Sequence, residues 1–583
     1  MHQLAKEERP TLFQAIAFGV KASCFRIRRS LQNLGAGPPR FPREALDDDL
    51  PVIAESRSVL YSSDSRSEFA LQSGKVHNLR IAARYLNGIQ VEAGQVFSFW
   101  RHVPRPVRWR GFSKGRELRE GCIIPSVGGG LCQLSNALYD CALKAQLEIV
   151  ERHGHSRVLP DSMAEEGRDA TLFWNYVDLR FRSGRRFQIE VILGRGELVV
   201  RFRGADGDFP LPSKRRGGDS RKATSESKVS AGDPIESCET CGVTSCFRHP
   251  ETLRLPETSL TAWLVDAYWP EYDRYLIENS RNGDWLFTPL SGRNYRWSQA
   301  GFSRVLKSSR LAVSRSIASR RLAQQGDARQ RALLEFDRRL ANSYARRIPA
   351  SALHLVVSQN LLPFLWRSGV LGGRTFDVLM TRLPLTHLQD MLDRAADRWP
   401  ESETLSDFRA DPGLLKDEAN ALAEANHWIT PHSKIAEIAG DRAIRLPWEI
   451  PPAETVSQSG SRVLFPASTL GRKGAWELQS LGLPLTLSGP NIESPDFWEG
   501  IEVEQRDFSL EGVAVVVLPA WVENQPRRLL ETVASGIPVI ATDVCGLDGV
   551  EGVTVVETGN TAMLKAAIER LAGLNESDSD SAS

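Results

Sequence analysis

Three groups of side chains have the types and spacing to do chemistry. In the first, Cys238, Cys241, Cys246 and His249 follow one another as C-x2-C-x4-C-x2-H. Three thiolates and an imidazole this close match the ligand inventory of a tetrahedral zinc site. The spacing is tighter than that of a two-pair zinc ribbon, which leaves an iron-sulfur cluster or a metal-free thiol switch open beside zinc. A metal here would give fixed shape to a segment with few apolar residues, as a structural staple rather than a catalyst.

The second group surrounds Cys132. Gly128, Gly129 and Gly130 form a flexible loop, and Leu131, Leu134, Leu138 and Ala142 then recur at helical spacing. Cys132 falls in that helix's first turn, where the positive end of the dipole favours a thiolate. His153 or His155, with His155 preferred as the base, and Asp169 follow in the chain. A Cys-His-Asp nucleophilic site is one reading. A non-catalytic ligand pocket and a plain scaffold holding a small buried cysteine are the others. Cys141 falls on the opposite face of the helix and is assigned to the core.

The third group lies between Leu518 and Thr542, where a strand end, a loop with Glu523, a helix with Glu531 and a second strand follow in order. In such a unit ligands bind outside the carboxyl ends of the strands. Upstream, Arg472 and Lys473 stand after another strand-like run.

These groups need elements to position them. The runs Arg462–Phe465, Val513–Leu518 and Pro538–Thr542 are short and almost wholly apolar, as strands of a parallel sheet covered on both faces must be, and helical patterns intervene. The last helix is capped by Asn560, with Leu564, Ile568 and Leu571 on one face. The class is α/β and multidomain. The expected divisions are an N-terminal helical or irregular extension at 1–60, an α+β domain at 61–204, a flexible linker at 205–236 and the Cys3His motif at 237–253. An α/β half at 254–450, a second at 451–574 and a disordered acidic tail at 575–583 complete the chain.

Composition sets the outer limits. The chain has 583 residues, 41% hydrophobic and 25% charged, enough for several ordinary cores, which excludes a disordered or collagen-like protein. Seventy-three Lys plus Arg against 72 Asp plus Glu leave +1, so global charge names neither nucleic acid nor an anionic membrane as partner. No run approaches the ~18 apolar residues of a membrane span. Glu7 and Glu8 before the apolar stretch Leu12–Val20, and arginines after it, argue for an amphipathic helix over a signal peptide and hence for a cytoplasmic protein. Local charge is less even. Residues 304–347 hold twelve Lys plus Arg against three acids, which reads as an interfacial basic helix on anionic lipid or as solvated helix faces. Arg101, Arg105, Arg108, Arg110, Lys114 and Arg116, with Trp109 and Phe112, form a patch for phosphate or carboxylate, or a solvated loop.

Two resemblances add to this. The blocks from His77 to Gly88, Gly94 to Trp100 and Val127 to Tyr139, continuing through Ile149–Ser156, Arg168–Thr171 and Asp178–Phe181, resemble the VanW family, whose biochemical activity is not established. The C-terminal block, two Glu separated by seven residues, then LLE and G-x-P-V-I-A-T, resembles the family 4 glycosyltransferases of GT-B fold, two Rossmann-like halves. That resemblance implies that Glu523 approaches the donor sugar, that Glu531 holds the nucleotide ribose, and that Arg472 and Lys473, with Asn524 nearby, meet the donor diphosphate. It implies a retaining transfer that needs no metal. Arg472 and Lys473 are adjacent rather than spaced, and Asn524-Gln525-Pro526 replaces a glycine-rich run.

The expectation is a transferase that moves a sugar from a nucleotide-sugar donor to a cell-envelope or polysaccharide acceptor, a glycan or a lipid-linked molecule, cytoplasmic or peripheral at the inner face of the membrane. His354, His387, His427 and His432 are candidates for acceptor contacts. The rivals are a non-catalytic envelope-binding scaffold and a Cys-dependent acyl transferase or peptidase in the VanW-like domain.

Overall fold

The computed structural model describes residues 12–61, 66–119, 122–155, 167–205, 236–237, 260–290, 296–321, 326–406, 409–452 and 460–573. Cys238, Cys241, Cys246 and His249, the expected tail, and nearly all of the expected linker lie outside them. The chain divides into two compact units. One comprises Met1–Leu260 with Ile348–His354 and Ser368–Arg374; the other comprises Thr261–Arg347, Leu355–Arg367 and Thr375–Ser583.

The first unit is α+β. Strands β1 (Val52–Val59), β2 (Ile89–Val91), β3 (Val96–Ser98), β4 (Lys114–Arg119), β5 (Cys122–Val127), β6 (Glu148–Glu151), β7 (Arg180–Arg182), β8 (Phe187–Leu193), β9 (Glu197–Arg203) and β10 (Glu236–Ser237) form three sheets. The largest, in the order β1-β9-β8-β2, is antiparallel throughout. Its inner face carries Phe187, Ile189, Val200 and Phe202, which pack with the helices Arg66–Leu86 and Leu131–Lys144 in one apolar core. Strand β1 comes from the expected N-terminal extension yet pairs with β9 along its length. The amphipathic N-terminal helix runs Leu12–Ala36 and is tied down by Arg29, whose guanidinium meets the Glu151 carboxylate at 2.6 and 2.9 Å.

The helix after the glycine loop is Leu131–Lys144, and Leu134, Leu138 and Ala142 are buried on it. Gly130 caps it with φ +97°, and a Cβ there would lie 2.1 Å from the Lys75 side chain, so both conformation and space require glycine. Cys141 is in the core, its thiol bonded to the Val200 carbonyl at 3.2 Å.

The second unit is α/β. Strands β11 (Leu260–Leu264), β12 (Trp285–Thr288), β13 (Arg304–Lys307), β14 (Ala352–Ser358), β15 (Thr375–Leu379), β16 (Trp428–Thr430) and β17 (Ala443–Arg445) form one sheet in the order β13-β12-β11-β14-β15-β16-β17. Strands β18 (Arg462–Phe465), β19 (Leu485–Leu487), β20 (Val503–Gln505), β21 (Val513–Leu518), β22 (Val539–Thr542) and β23 (Val553–Val556) form a second, wholly parallel sheet in the order β20-β19-β18-β21-β22-β23. Counted from the start of each half, both begin 3-2-1-4-5-6, the doubly wound order. The apolar runs explain the parallel sheets: Val515, Val516 and Val517 point alternately to opposite faces and all three are fully buried. The final helix is Thr561–Ala572, with the Asn560 side chain accepting from the Met563 amide at 3.0 Å.

The basic stretch 304–347 is one strand, β13, followed by the helices Ser309–Arg321 and Gly326–Ala345 rather than a single helix. Part of its charge is internal, since Glu335 bonds Arg338 and Arg339, each at 2.7 Å.

Candidate functional site

In a doubly wound sheet, loops leaving adjacent strands diverge where the strand order reverses, and a crevice opens there. In the C-terminal half that point lies between β18 and β21. The two loops are joined by backbone bonds, with the Trp521 and Val522 amides donating to the Arg472 carbonyl at 3.0 and 3.2 Å. Gly474, at φ +81°, makes the approach possible, because a Cβ there would lie 2.0 Å from the Pro519 carbonyl oxygen. This frame sets the Lys473 ammonium 2.6 Å from a Glu523 carboxylate oxygen and 3.3 Å from the Val522 carbonyl. The other Glu523 oxygen accepts from the Gln525 amide at 2.8 Å. Burial pushes the Glu523 carboxyl up, but the Lys473 charge and hydrogen bond, the Gln525 amide and the Arg472 charge outweigh it and hold the group below its ordinary range. It is an ionised carboxylate in a half-enclosed place.

Glu531 lies on the helix Arg527–Ala534, one turn beyond Arg527, and its side chain is exposed. Asn524 is half-buried, with its amide oxygen buried and unbonded. Lys473 and Glu523 are thus brought together, while Glu531 faces outward from the same loop-helix unit.

Of the four histidines, only His432 meets this region. Its Nε2–H donates to the carbonyls of Glu523 (3.2 Å) and Val544 (3.1 Å), its Nδ1 has no hydrogen-bond partner, and burial lowers its pKa to about 4, so the ring is neutral. His427 bonds Asp377 at 2.9 Å just before β16 begins, away from the carboxyl ends of the strands. His387 is exposed on the helix Leu385–Arg398, and His354 lies within β14.

The N-terminal half of this unit has its own reversal, between β11 and β14. Asp266, just past β11 and fully buried, donates its amide to the Ser358 hydroxyl (3.1 Å) and takes the Asn360 amide on one carboxylate oxygen (2.9 Å). Its other oxygen is buried without a hydrogen-bond partner. Nearby, Glu418 holds Arg382 at 2.7 Å, and Gln359 accepts from the Thr381 and Arg382 amides at 2.9 and 3.0 Å. Two pins join the halves. The Arg527 guanidinium grips both oxygens of the buried Glu271 at 2.7 Å over the faces of Trp269 and Trp448. Glu477 accepts the indole N–H groups of Trp399 and Trp521 at 2.6 and 2.8 Å. Sequence reasoning missed these groups. Asp266 left one signal, an acid immediately after an apolar strand; the pins join residues with no periodic relation.

In the first unit, the thiol group of candidates converges. Ser135 and Asn136, one turn along from Cys132, bond the carbonyl and amide of Ala170, the latter at 2.8 Å, which lays the segment 169–171 against the start of the helix. Asp169 accepts the His155 backbone amide on one oxygen and the His155 Nδ1–H on the other at 2.5 Å. Thr171 places its hydroxyl 3.9 Å from the Cys132 sulfur. Burial lowers the His155 pKa, but the bonds to Asp169 and Cys132 outweigh it and push it up to about 10. His153 instead lies 3.4 Å from Glu151. The basic patch at 101–116 does not converge: Arg105 stacks on Trp174, Arg110 on Trp109, and Arg116 pairs with Glu68.

Comparison with known proteins falls along the same division. Residues 74–203 match the family described as VanW like protein. Residues 500–573, which include Glu523 and Glu531, match the family described as glycosyl transferases group 1. The chain is 32% identical over 153 residues to the vancomycin B-type resistance protein VanW of Enterococcus faecalis, 25% of this chain and 56% of that protein. It is 34% identical over 132 residues to the uncharacterized protein YoaR of Bacillus subtilis, 22% of this chain and 43% of that one. The chain thus spans about half the length of the curated relatives it matches. Among solved structures, a sucrose-phosphate synthase from Thermosynechococcus elongatus is 14% identical with a TM-score of 0.33, covering 54% of this chain and 90% of that one. One polypeptide therefore carries a stretch that matches the VanW family and, later in the sequence, a stretch that matches the glycosyl transferases group 1 family, the latter within the second of two Rossmann-like halves.

Proposed function

We propose that the second unit transfers a sugar from a nucleotide-diphosphate sugar to a hydroxyl of an envelope glycan or lipid-linked acceptor. The observation that carries this is the Lys473–Glu523 pair at the strand-order reversal of the C-terminal sheet, with Glu523 inside the stretch, residues 500–573, that matches the glycosyl transferases group 1 family. In this reading, Lys473 and Arg472 offset the charge that gathers on the leaving diphosphate. Glu523 accepts sugar hydroxyls, Glu531 accepts those of the ribose, and Asn524 offers its unbonded amide oxygen to the same ligand. The transfer retains anomeric configuration and uses no metal. A zinc held by Cys238, Cys241, Cys246 and His249 would act as a staple, apart from this chemistry.

Peripheral attachment at the inner membrane face belongs to the same reading. No helix among the described residues is long and apolar enough to cross a membrane. The helix Ser309–Arg321 exposes Val313 and Ile317 beside Arg310, a surface suited to salt-dependent adsorption on anionic vesicles.

Calorimetric titration with a panel of nucleoside diphosphates and their sugars tests the proposal. Binding of one nucleotide class, weakened roughly 10-fold or more by Glu531→Ala and by Lys473→Ala, is expected, since losing one charge-assisted contact costs about 1.5–3 kcal/mol. If the wild-type chain neither binds nor hydrolyses any nucleotide sugar, the transferase reading fails. Proton NMR of the first product formed reads its anomeric configuration.

A further inference from the structure

We propose that Cys132, His155 and Asp169 form a second active site, in which a thiol nucleophile with its base and an orienting carboxylate carries acyl groups as a thioester. The proposal rests on geometry within the VanW-like domain and is independent of the transferase.

Three separate parts of the chain build the site. Cys132 is held in the first turn of a 14-residue helix, at the positive end of its dipole; the Gln133 amide closes on the Gly130 carbonyl at 3.1 Å, which leaves the Leu131 and Cys132 amides as the leading donors. His155 follows β6, and Asp169 lies on the segment that Ser135 and Asn136 clamp to the helix. Asp169 holds His155 twice, through the backbone amide and through Nδ1–H, which fixes the tautomer and leaves Nε2 for the thiol. A structural carboxylate needs only one of these bonds; the pair sets the ring orientation. The Asp169 backbone carbonyl is anchored in turn by Arg152 Nε at 2.6 Å. Cys132 is half-buried, where the core cysteine Cys141 is fully buried.

In the reaction, the Cys132 proton resides on His155 and sulfur attacks the carbonyl carbon of an ester or amide. The first-turn amides face the oxyanion. The intermediate collapses with rupture of the C–O or C–N bond, and His155 returns the proton to the departing oxygen or nitrogen. Water or an amine then attacks the thioester, gives a proton to His155, and the C–S bond breaks to restore the thiol. No oxidant or further co-reactant is needed.

Alkylation of the full-length chain by iodoacetamide, followed by peptide mapping, compares Cys132 with the exposed Cys24 in the same molecule. Near pH 6, Cys132 is expected to react roughly 10-fold faster or more. His155→Gln should reduce it to the Cys24 rate, and Asp169→Asn should fall between. The charged groups around the site are Asp169, Arg152 and Lys75, the last against Gly130, so Lys75→Met serves as the control for pH effects not due to His155. Exposure to p-nitrophenyl acetate and to a peptidyl p-nitroanilide, with acid quench, should leave an acyl group on Cys132 that Cys132→Ala abolishes; the productive reagent tells ester from amide. The proposal is overturned if Cys132 alkylates with the rate and pH profile of Cys24, if His155→Gln leaves that rate unchanged, or if neither reagent acylates Cys132.

Discussion

The two halves of the second unit share a strand order but differ in what they place where that order reverses. Between β18 and β21 the chain sets opposite charges side by side, Lys473 and Glu523, at half-enclosed positions. Between β11 and β14 it sets one acid, Asp266, wholly out of solvent and braced by Ser358 and Asn360. Topology decides that a crevice falls there, and the loop residues decide whether it offers charge to a ligand or stores an acid in the protein. In the transfer proposed above, the first crossing exchanges partners, an incoming anion taking Lys473 from Glu523. The second is built to hold still.

The sharpest way to break this comparison is at the backbone of the first crossing. Gly474→Val must move the Pro519 carbonyl and adopt an unfavourable φ. We expect more than about 3 kcal/mol of destabilisation in urea titrations, with nucleotide binding lost in any folded fraction. Next is the pin between halves. Arg527→Ala leaves the Glu271 carboxylate buried without its cation, a loss of about 2 kcal/mol given that the arginine is partly exposed. Adding Glu271→Gln should recover part of that loss, and a double-mutant cycle with no coupling would show that the halves are not joined through this pair.

A smaller, pH-dependent effect sharpens the still half. Asp337, facing Asp266, Arg315 and Arg382, has its pKa raised to about 7, chiefly by burial, from 3.8. Between these values the folded state keeps a proton that the unfolded state has released, so wild-type stability falls as pH rises through this window. Asp337→Asn removes the dependence, and its stability relative to wild type should climb from about pH 4 to 7; parallel pH curves would contradict the assignment. Least of all, Asn560→Ala at the final helix should cost about 1 kcal/mol of thermal stability without touching either crossing.

What the sequence could disclose follows from the range of each interaction. Strands β18 and β21 were readable because burial on both faces forces uninterrupted apolar runs. The cap at Asn560 and the helix carrying Cys132 were readable because their determinants lie within a few residues. Cys132, His155 and Asp169 are legible from residue type and order, and Glu523 and Lys473 from the glycosyltransferase resemblance; the structure sets Lys473 against Glu523 and His155 against Asp169. Asp266 itself follows an apolar strand, but its pairing with Asn360, and that of Glu271 with Arg527, left no such trace. Their partners lie 94 and 256 residues apart, and no periodicity spans that separation. Strand β1 was assigned to an extension for the same reason, since its partner β9 is about 140 residues away in the chain.

The crossing between β18 and β21 is zipped through the Arg472 carbonyl, a group that every residue type carries. The two backbone bonds therefore do not themselves specify an arginine, and a substitution at 472 keeps their acceptor. Gly474, two residues further along the same loop, has no such latitude, and the two positions should respond differently to random substitution.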